Sequence, residues 1–137
     1  MATHLADTSV LARLDDDDVA VRVGPMFLGG RIATCAFVDL EILRTSRHGP
    51  AHAEAWFERQ LLPRVPFTES SAQRAIEVQG LLADSGRHRS VALEDLLIAA
   101  LAEQDGLTVL HYDQDFDLIA DVTGQPTEWV VGRGTVP

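Results

Sequence analysis

Apolar residues follow two rhythms along this chain, short β-rich runs and longer stretches with helical spacing, and the two alternate. The opening "THLADTS" alternates weakly and closes on Asp7-Thr8-Ser9, where a capping side chain can start a short helix over "SVLARL". Four aspartates, Asp15 to Asp18, read as a solvated loop whose last carboxylates favour the positive end of a helix over Val19–Leu28. Gly29-Gly30 ends that helix. A strand is expected over Arg31–Thr34, followed by a helix running to near Gly49. In it Phe37, Leu40 and Leu43 or Arg44 occupy neighbouring faces, which sets Glu41 beside an apolar surface.

"AHAEAWFERQLL" reads as another helix, and Pro63 and Pro66 break the chain before a weak strand at "VPFT". Ser70 or Ser71 is expected to cap a helix that ends at Gly86. Ser90 is expected to cap the next one, with Glu94 and Asp95 near its first turn and Gly106 past its end. The middle of that helix is almost wholly apolar, so it is buried. "LTVLHYD" and "TEWVV" supply further strands around a helix at "FDLIADVTG". Strands alternating with helices predict an α/β fold, three layers in the order α/β/α around a central parallel sheet.

The length, 137 residues, and the 46% of apolar residues suit one domain that buries a core without staples. A single cysteine, Cys35, precludes an internal disulfide, and "MATHLAD" is neither a basic leader nor the start of an apolar run. The longest apolar segment, "LLIAALA", is far short of the roughly 20 residues that span a bilayer. The expectation is a soluble, cytoplasmic protein without membrane contact. All eleven cationic side chains are arginine. The absence of lysine excludes phosphate binding by a P-loop lysine and Schiff-base catalysis in this chain. A net charge of -10 argues against a surface coated with nucleic-acid contacts but leaves room for a local arginine patch.

Against that acidic balance, Asp113, Asp115 and Asp117 crowd one short stretch. Two like charges about 4 Å apart repel by roughly 1 kcal/mol in water and about 4 kcal/mol at a protein surface. Either solvent keeps such groups apart or a cation draws them together. In open parallel sheets the ligand crevice lies at the carboxyl ends of the strands. Asp7 and Asp113 each end a strand, Asp95 starts the helix leading into the second of these strands, and Glu41 lies on the helix after the second strand. Four acids from distant segments thus share one rim. Taken singly, Asp7 also reads as an N-cap and Glu41 as a partner of Arg44. Asp95 has apolar helical neighbours, Val91, Ala92, Ile98 and Ala99, so a carboxylate there needs a partner. Asp115 or Asp117 leads the following helix. An all-oxygen set suits Mg²⁺ or Mn²⁺ rather than zinc, and Ca²⁺ remains open although no EF-hand loop occurs. Such a metal supports phosphodiester hydrolysis.

"LADTSVLARL", "FVDLEIL" and "HRSVALEDLLIAALAEQDGLTVLHYDQDFDLIA", in that order and separation, resemble the PIN-domain ribonucleases, and among them the VapC toxins of bacterial toxin–antitoxin pairs. The resemblance implies four or five parallel strands and a magnesium-dependent endoribonuclease. It makes Asp7 and Asp95 the principal metal ligands, Glu41 and Asp113 the other acids, Asp115 a fifth, and Thr8 or Ser9 the hydroxyl beside the first aspartate. It further implies a homodimer and a small antitoxin that covers or fills the acidic groove. His111 and Tyr112 depart from the pattern, standing where a small hydroxylated residue is common. Carboxylates repel RNA, so the substrate is expected to be gripped by Arg13, Arg44, Arg47, Arg87 and Arg89. His4, His48, His52 and His88 lack ligand spacing and receive no role. Competing readings are a PIN-like domain that binds RNA or protein without cutting, a phospho-acceptor domain, which lacks its lysine here, and a DNA 5′-nuclease.

Overall fold

A computed structural model of the protein describes residues 1–137. Four strands form one sheet: β1 (His4–Ala6), β2 (Ile32–Ala33), β3 (Thr108–His111) and β4 (Thr127–Trp129). They lie in the order β2-β1-β3-β4, and every neighbouring pair is parallel. α1 (Thr8–Leu11) and α2 (Asp17–Leu28) connect β1 to β2. α3 (Ala36–Arg44), α4 (Gly49–Arg59), α5 (Glu69–Ala83) and α6 (Leu93–Gln104) fill the long return to β3, and α7 (Asp115–Thr123) leads to β4.

Successive side chains of a strand point to opposite faces, and here each face has its own core. Leu5, Ala33 and Val109 join a large cluster built with α3, α5, α6 and α7, whose members include Val38, Leu82, Ile98, Leu101 and Phe116. Ala6, Ile32 and Leu110 point the other way, onto Val10, Val19 and Val23. These are the three expected layers. The chain leaves β1 toward β2 but leaves β3 toward β4, so the strand order reverses between β1 and β3. A crevice belongs at their carboxyl ends. No helix is long and apolar enough to cross a membrane.

Several local expectations need correction. "VPFT" forms no strand: the one pairing is an isolated parallel bridge of Thr34 with Arg64, the residue just before it, because Pro63 and Pro66 have no N–H to extend a ladder. α5 begins at Glu69, with Thr68 as its N-cap rather than Ser70 or Ser71. Ser71 instead closes a reciprocal capping box, its hydroxyl accepting from the Thr68 N–H. Ser90 does not cap α6 either, since it lies in a short 3₁₀ turn, His88–Ser90, and Val91 is extended. The N-cap is Ala92, which has no side chain to offer. Its N–H donates instead to Oδ2 of the distant Asp115, at 3.0 Å. α2 begins at Asp17 rather than Val19, with Asp17 and Asp18 in its first turn and Asp16 as its N-cap, accepting from the N–H groups of Asp18 and Val19. Gly106, with φ of 67°, adopts the left-handed turn after α6 that only glycine enters freely.

One buried ionic group holds the α3–α4 pair to the sheet. Asp39 is 3% exposed and accepts from Nε of Arg59, Nη1 of Arg64 and the Thr34 hydroxyl. Arg59 also donates to Thr34. Removing the carboxylate strands two guanidinium groups, one of them largely buried. Breaking a buried pair in this way costs about 3 kcal/mol or more, whereas an exposed pair is worth about 1 kcal/mol at most. We therefore expect Asp39→Ala to lower the urea-derived unfolding free energy by about 3 kcal/mol, and Asp121→Ala, which removes the exposed partner of Arg87, by under about 1 kcal/mol. Equal losses would contradict this ranking.

Candidate metal centre

The crevice between β1 and β3 collects acids from four elements. Asp7 follows β1 and caps α1, with Oδ2 accepting from the Ser9 N–H at 3.0 Å. The Ser9 hydroxyl in turn accepts from the Tyr112 N–H at 2.8 Å, which fastens the ends of the two central strands together. Asp113 follows β3, and its Oδ1 accepts from the Asp115 N–H at 2.9 Å. Asp115 opens α7 and holds the N-terminus of α6 through Ala92, and so sets Asp95 in the first turn of α6. A relay of side-chain-to-backbone bonds therefore links Asp7, Asp113, Asp115 and the start of the helix that carries Asp95. A depression of about 240 Å³ is lined by Asp7, Thr8, Ser9, Glu41, Glu94, Asp95 and Asp113, with Ala12 and Ala92. One carboxylate oxygen from each of Asp95, Asp113 and Asp115 lies within 4.8 Å of the others.

No arginine or histidine nitrogen lies within 4.0 Å of any of these carboxylates. The expected pairing of Glu41 with Arg44 is absent, and Arg44 is exposed. The electrostatic result is a strong hold on protons. Burial, reinforced by Asp115 and by the charges of Asp7 and Asp113, pushes the Asp95 carboxyl up to about 9. Burial also raises Asp7, and the Asp113 charge adds to it against the lowering bonds from Ser9. Glu41 rises to about 7 through burial and then through its contact with Glu94. Asp7 and Asp95 are 4% and 7% exposed, yet nothing in the fold neutralises them.

This donor set fits a hard cation. All its ligand atoms are oxygens, three converge, and the Thr8 hydroxyl beside them is buried without a hydrogen-bond partner. Zinc-type Cys or His ligands are absent from the rim: His111, fully buried, packs against Phe116 and Trp129. Its Nδ1 accepts from the Asp113 N–H at 3.2 Å, and burial lowers its affinity for a proton. Tyr112 exchanges hydrogen bonds with the backbone of Val136, so neither residue lines the acid depression.

Thr8, Ser9 and the four principal acids gather as read from the sequence, and Asp115 stands beside them. The arginines scatter. Arg13 donates to the carbonyls of Ser9 and Pro137 and stacks 4.5 Å from the Tyr112 ring. Arg87 pairs with Asp121 and Ser85, while Arg44, Arg47 and Arg89 are exposed. Asp117 is turned away, bonded to the Trp129 indole. Glu94 is the acid that sequence reasoning left out of the site. Its signal was its place beside Asp95 in one helical turn, where only one of two adjacent acids was assigned to the rim.

The sequence pattern of the PIN domain matches residues 5–122. The chain is 41% identical to ribonuclease VapC21 of Mycobacterium tuberculosis over 133 residues, which covers 96% of each chain. Among solved structures it is similar to the DNA-bound VapBC of Salmonella typhimurium, with a TM-score of 0.73, 16% identity and coverage of 96% of this chain and 100% of the other. It is also similar to VapBC-5 of M. tuberculosis, a member of the VapBC family of toxin–antitoxin systems, with a TM-score of 0.58, 26% identity and coverage of 93% and 97%. An acid rim at the point of strand reversal and a near full-length match to a named ribonuclease lead to one conclusion: this chain belongs to the PIN-domain family.

Proposed function

We propose that the protein is an endoribonuclease that cuts RNA phosphodiester bonds by hydrolysis with a divalent metal, Mg²⁺ or, in its place, Mn²⁺. The observation that carries this reading is the set of converging carboxylates, buried at Asp95 and half-buried at Asp113 and Asp115, that no cation of the protein neutralises. Asp7, Asp95, Asp113 and Asp115 hold the metal, which when bound activates water and offsets charge on the phosphate. The chain's own residues supply the rest. Ser9 orients Asp7, and Asp113 and Asp115 orient each other and the start of α6. Glu41, raised to about 7, is matched to neutral pH for taking a proton from the water as its oxygen bonds to phosphorus and the bond to the leaving oxygen breaks, the leaving oxygen taking its proton from solvent. Thr8 and Ser9, which line the acid depression, face the substrate, and the exposed Arg44 and Arg89 are available to its phosphates, whereas Arg13 and Arg87 are already engaged by backbone carbonyls and by Asp121. The toxin–antitoxin names of the relatives support a toxin silenced by a small antitoxin; one PIN-like domain over residues 1–137, a homodimer and a cytoplasmic location belong to the same proposal.

Asp7→Asn and Asp95→Asn should each reduce Mg²⁺-dependent cleavage of a labelled RNA by at least about 100-fold, since even outer-shell supports of a metal site are worth about 10- to 100-fold. Unchanged cleavage would remove the assignment. Glu94→Gln should shift the acidic limb of the kcat/KM profile to lower pH, because a neutral neighbour no longer holds a proton on Glu41. An unmoved limb would rule out the coupling.

Protons and metal compete for the same oxygens. Carboxyls with raised values bind protons more tightly in the folded than in the unfolded chain. Their contribution to stability is therefore full at pH 4 and below, and is lost as pH rises through about 7 for Glu41 and about 9 for Asp95. In EDTA the Tm should fall across that window, and added Mn²⁺ should raise it more at pH 8.5 than at pH 6. A metal-induced rise that is equal at both pH values would contradict this competition.

A further inference from the structure

Asp113 lines a second depression as well as the acid one. Its volume is about 360 Å³, within the range of about 300–1,000 Å³ common for small-molecule clefts. Its other walls include Tyr112, Gln114, Trp129 and Arg133. The two hollows share the Asp113 carboxylate as a wall, which sets them side by side.

The walls are preset. The Trp129 indole N–H donates to Asp117 at 3.1 Å, and the Tyr112 hydroxyl donates to the Val136 carbonyl at 2.8 Å. The two rings meet edge to face with centroids 5.3 Å apart, and His111 supports Trp129 from within, its ring 5.0 Å away. Rings held in this way lose little freedom when a base stacks on them. Arg133 hangs over this wall, its guanidinium 5.6 Å from the Trp129 ring. A single donor is engaged, to Oε1 of Gln114, and no carboxylate pairs with it. Five other arginines are tied to Asp or Glu, and Arg13, stacked on Tyr112, is engaged by two carbonyls. In a chain of net charge -10, a free cation beside two aromatic rings and the acid rim is unusual chemistry. It matches single-stranded nucleic acid, which offers a π-face and a phosphate at each unit.

We propose that this depression is a nucleotide subsite: it receives the unpaired nucleotide next to the scissile bond, with its phosphate on Arg133 and its base against Trp129. This rests on the ribonuclease reading above and adds a place where the enzyme grips the strand. Arg133 is a binding residue on the exposed C-terminal tail, so its substitution leaves the fold intact.

The test is equilibrium binding of a fluorescein-labelled single-stranded oligoribonucleotide to the Asp7→Asn protein with Mg²⁺ present. Arg133→Ala should weaken binding about tenfold and reduce the slope of log K against log salt by about 0.7, the share of one phosphate on a single strand. Trp129→Leu should weaken it at least about fivefold, and Trp129→Phe, which keeps a ring, should retain most of the affinity. With Trp56→Phe, Trp129 is the only indole, and the same RNA should quench its emission. Unchanged affinity and slope in Arg133→Ala, unquenched emission, or no RNA binding at all would overturn the subsite. The two readings fail separately. A wild type that binds RNA with quenching but never cuts it defeats the nuclease assignment alone, and one that cuts while Arg133→Ala binds as before defeats the subsite alone.

Discussion

Repulsion among carboxylates gathered at the carboxyl ends of β1 and β3 is the constraint around which the molecule is arranged. The crevice exists because strand order reverses between those strands, and the fold spends its polar contacts there on bringing negative groups together. Elsewhere the protein neutralises buried acids. Asp39 meets two arginines and a threonine, and its group serves the fold alone. The contrast between Asp39 and Asp95, two buried aspartates with opposite treatment, separates a structural acid from one kept for a ligand.

Stability and function pull on the same atoms. Asp7, Glu41 and Asp95 carry a desolvation cost, and without a counter-charge they relieve it by holding a proton more tightly. A hard divalent ion is the other way to relieve it. The hydrogen bonds that hold the rim use backbone N–H donors: Ser9 for Asp7, Asp115 for Asp113, Ala92 for Asp115. Neutral donors orient an anion without cancelling its charge, which leaves the oxygens available to a metal. His111 works alongside, since a neutral imidazole buried at the end of β3 accepts the Asp113 N–H and brings no positive charge.

Much of this was legible in the sequence. Alternating strand and helix periods set the three layers, and Asp7 and Asp113 at the close of two β-rich runs place themselves at one edge once the sheet is parallel. Asp95 stood out because an acid among Val91, Ile98 and Ala99 needs a reason. What escaped depended on contacts between distant segments. The start of α6 is set by Asp115, twenty-three residues away, so a local serine at position 90 misleads. Thr68 outcompetes Ser70 and Ser71 because Ser71 can answer it from the third helical position. Asp39 and Glu41 are two positions apart in the same helix, and no local pattern says which meets arginine and which meets Glu94. Arg133 sits in a tail without periodicity, and only its approach to Trp129 makes it more than a surface charge.

The central claim is that the rim exchanges protons for a divalent cation. Calorimetric titration of the metal-free protein with Mn²⁺ at pH 7, repeated in buffers of different ionisation enthalpy, measures it directly. The account predicts saturable binding with net proton release, both lost in Asp95→Asn. Absence of binding, or binding whose heat does not depend on the buffer, would contradict it.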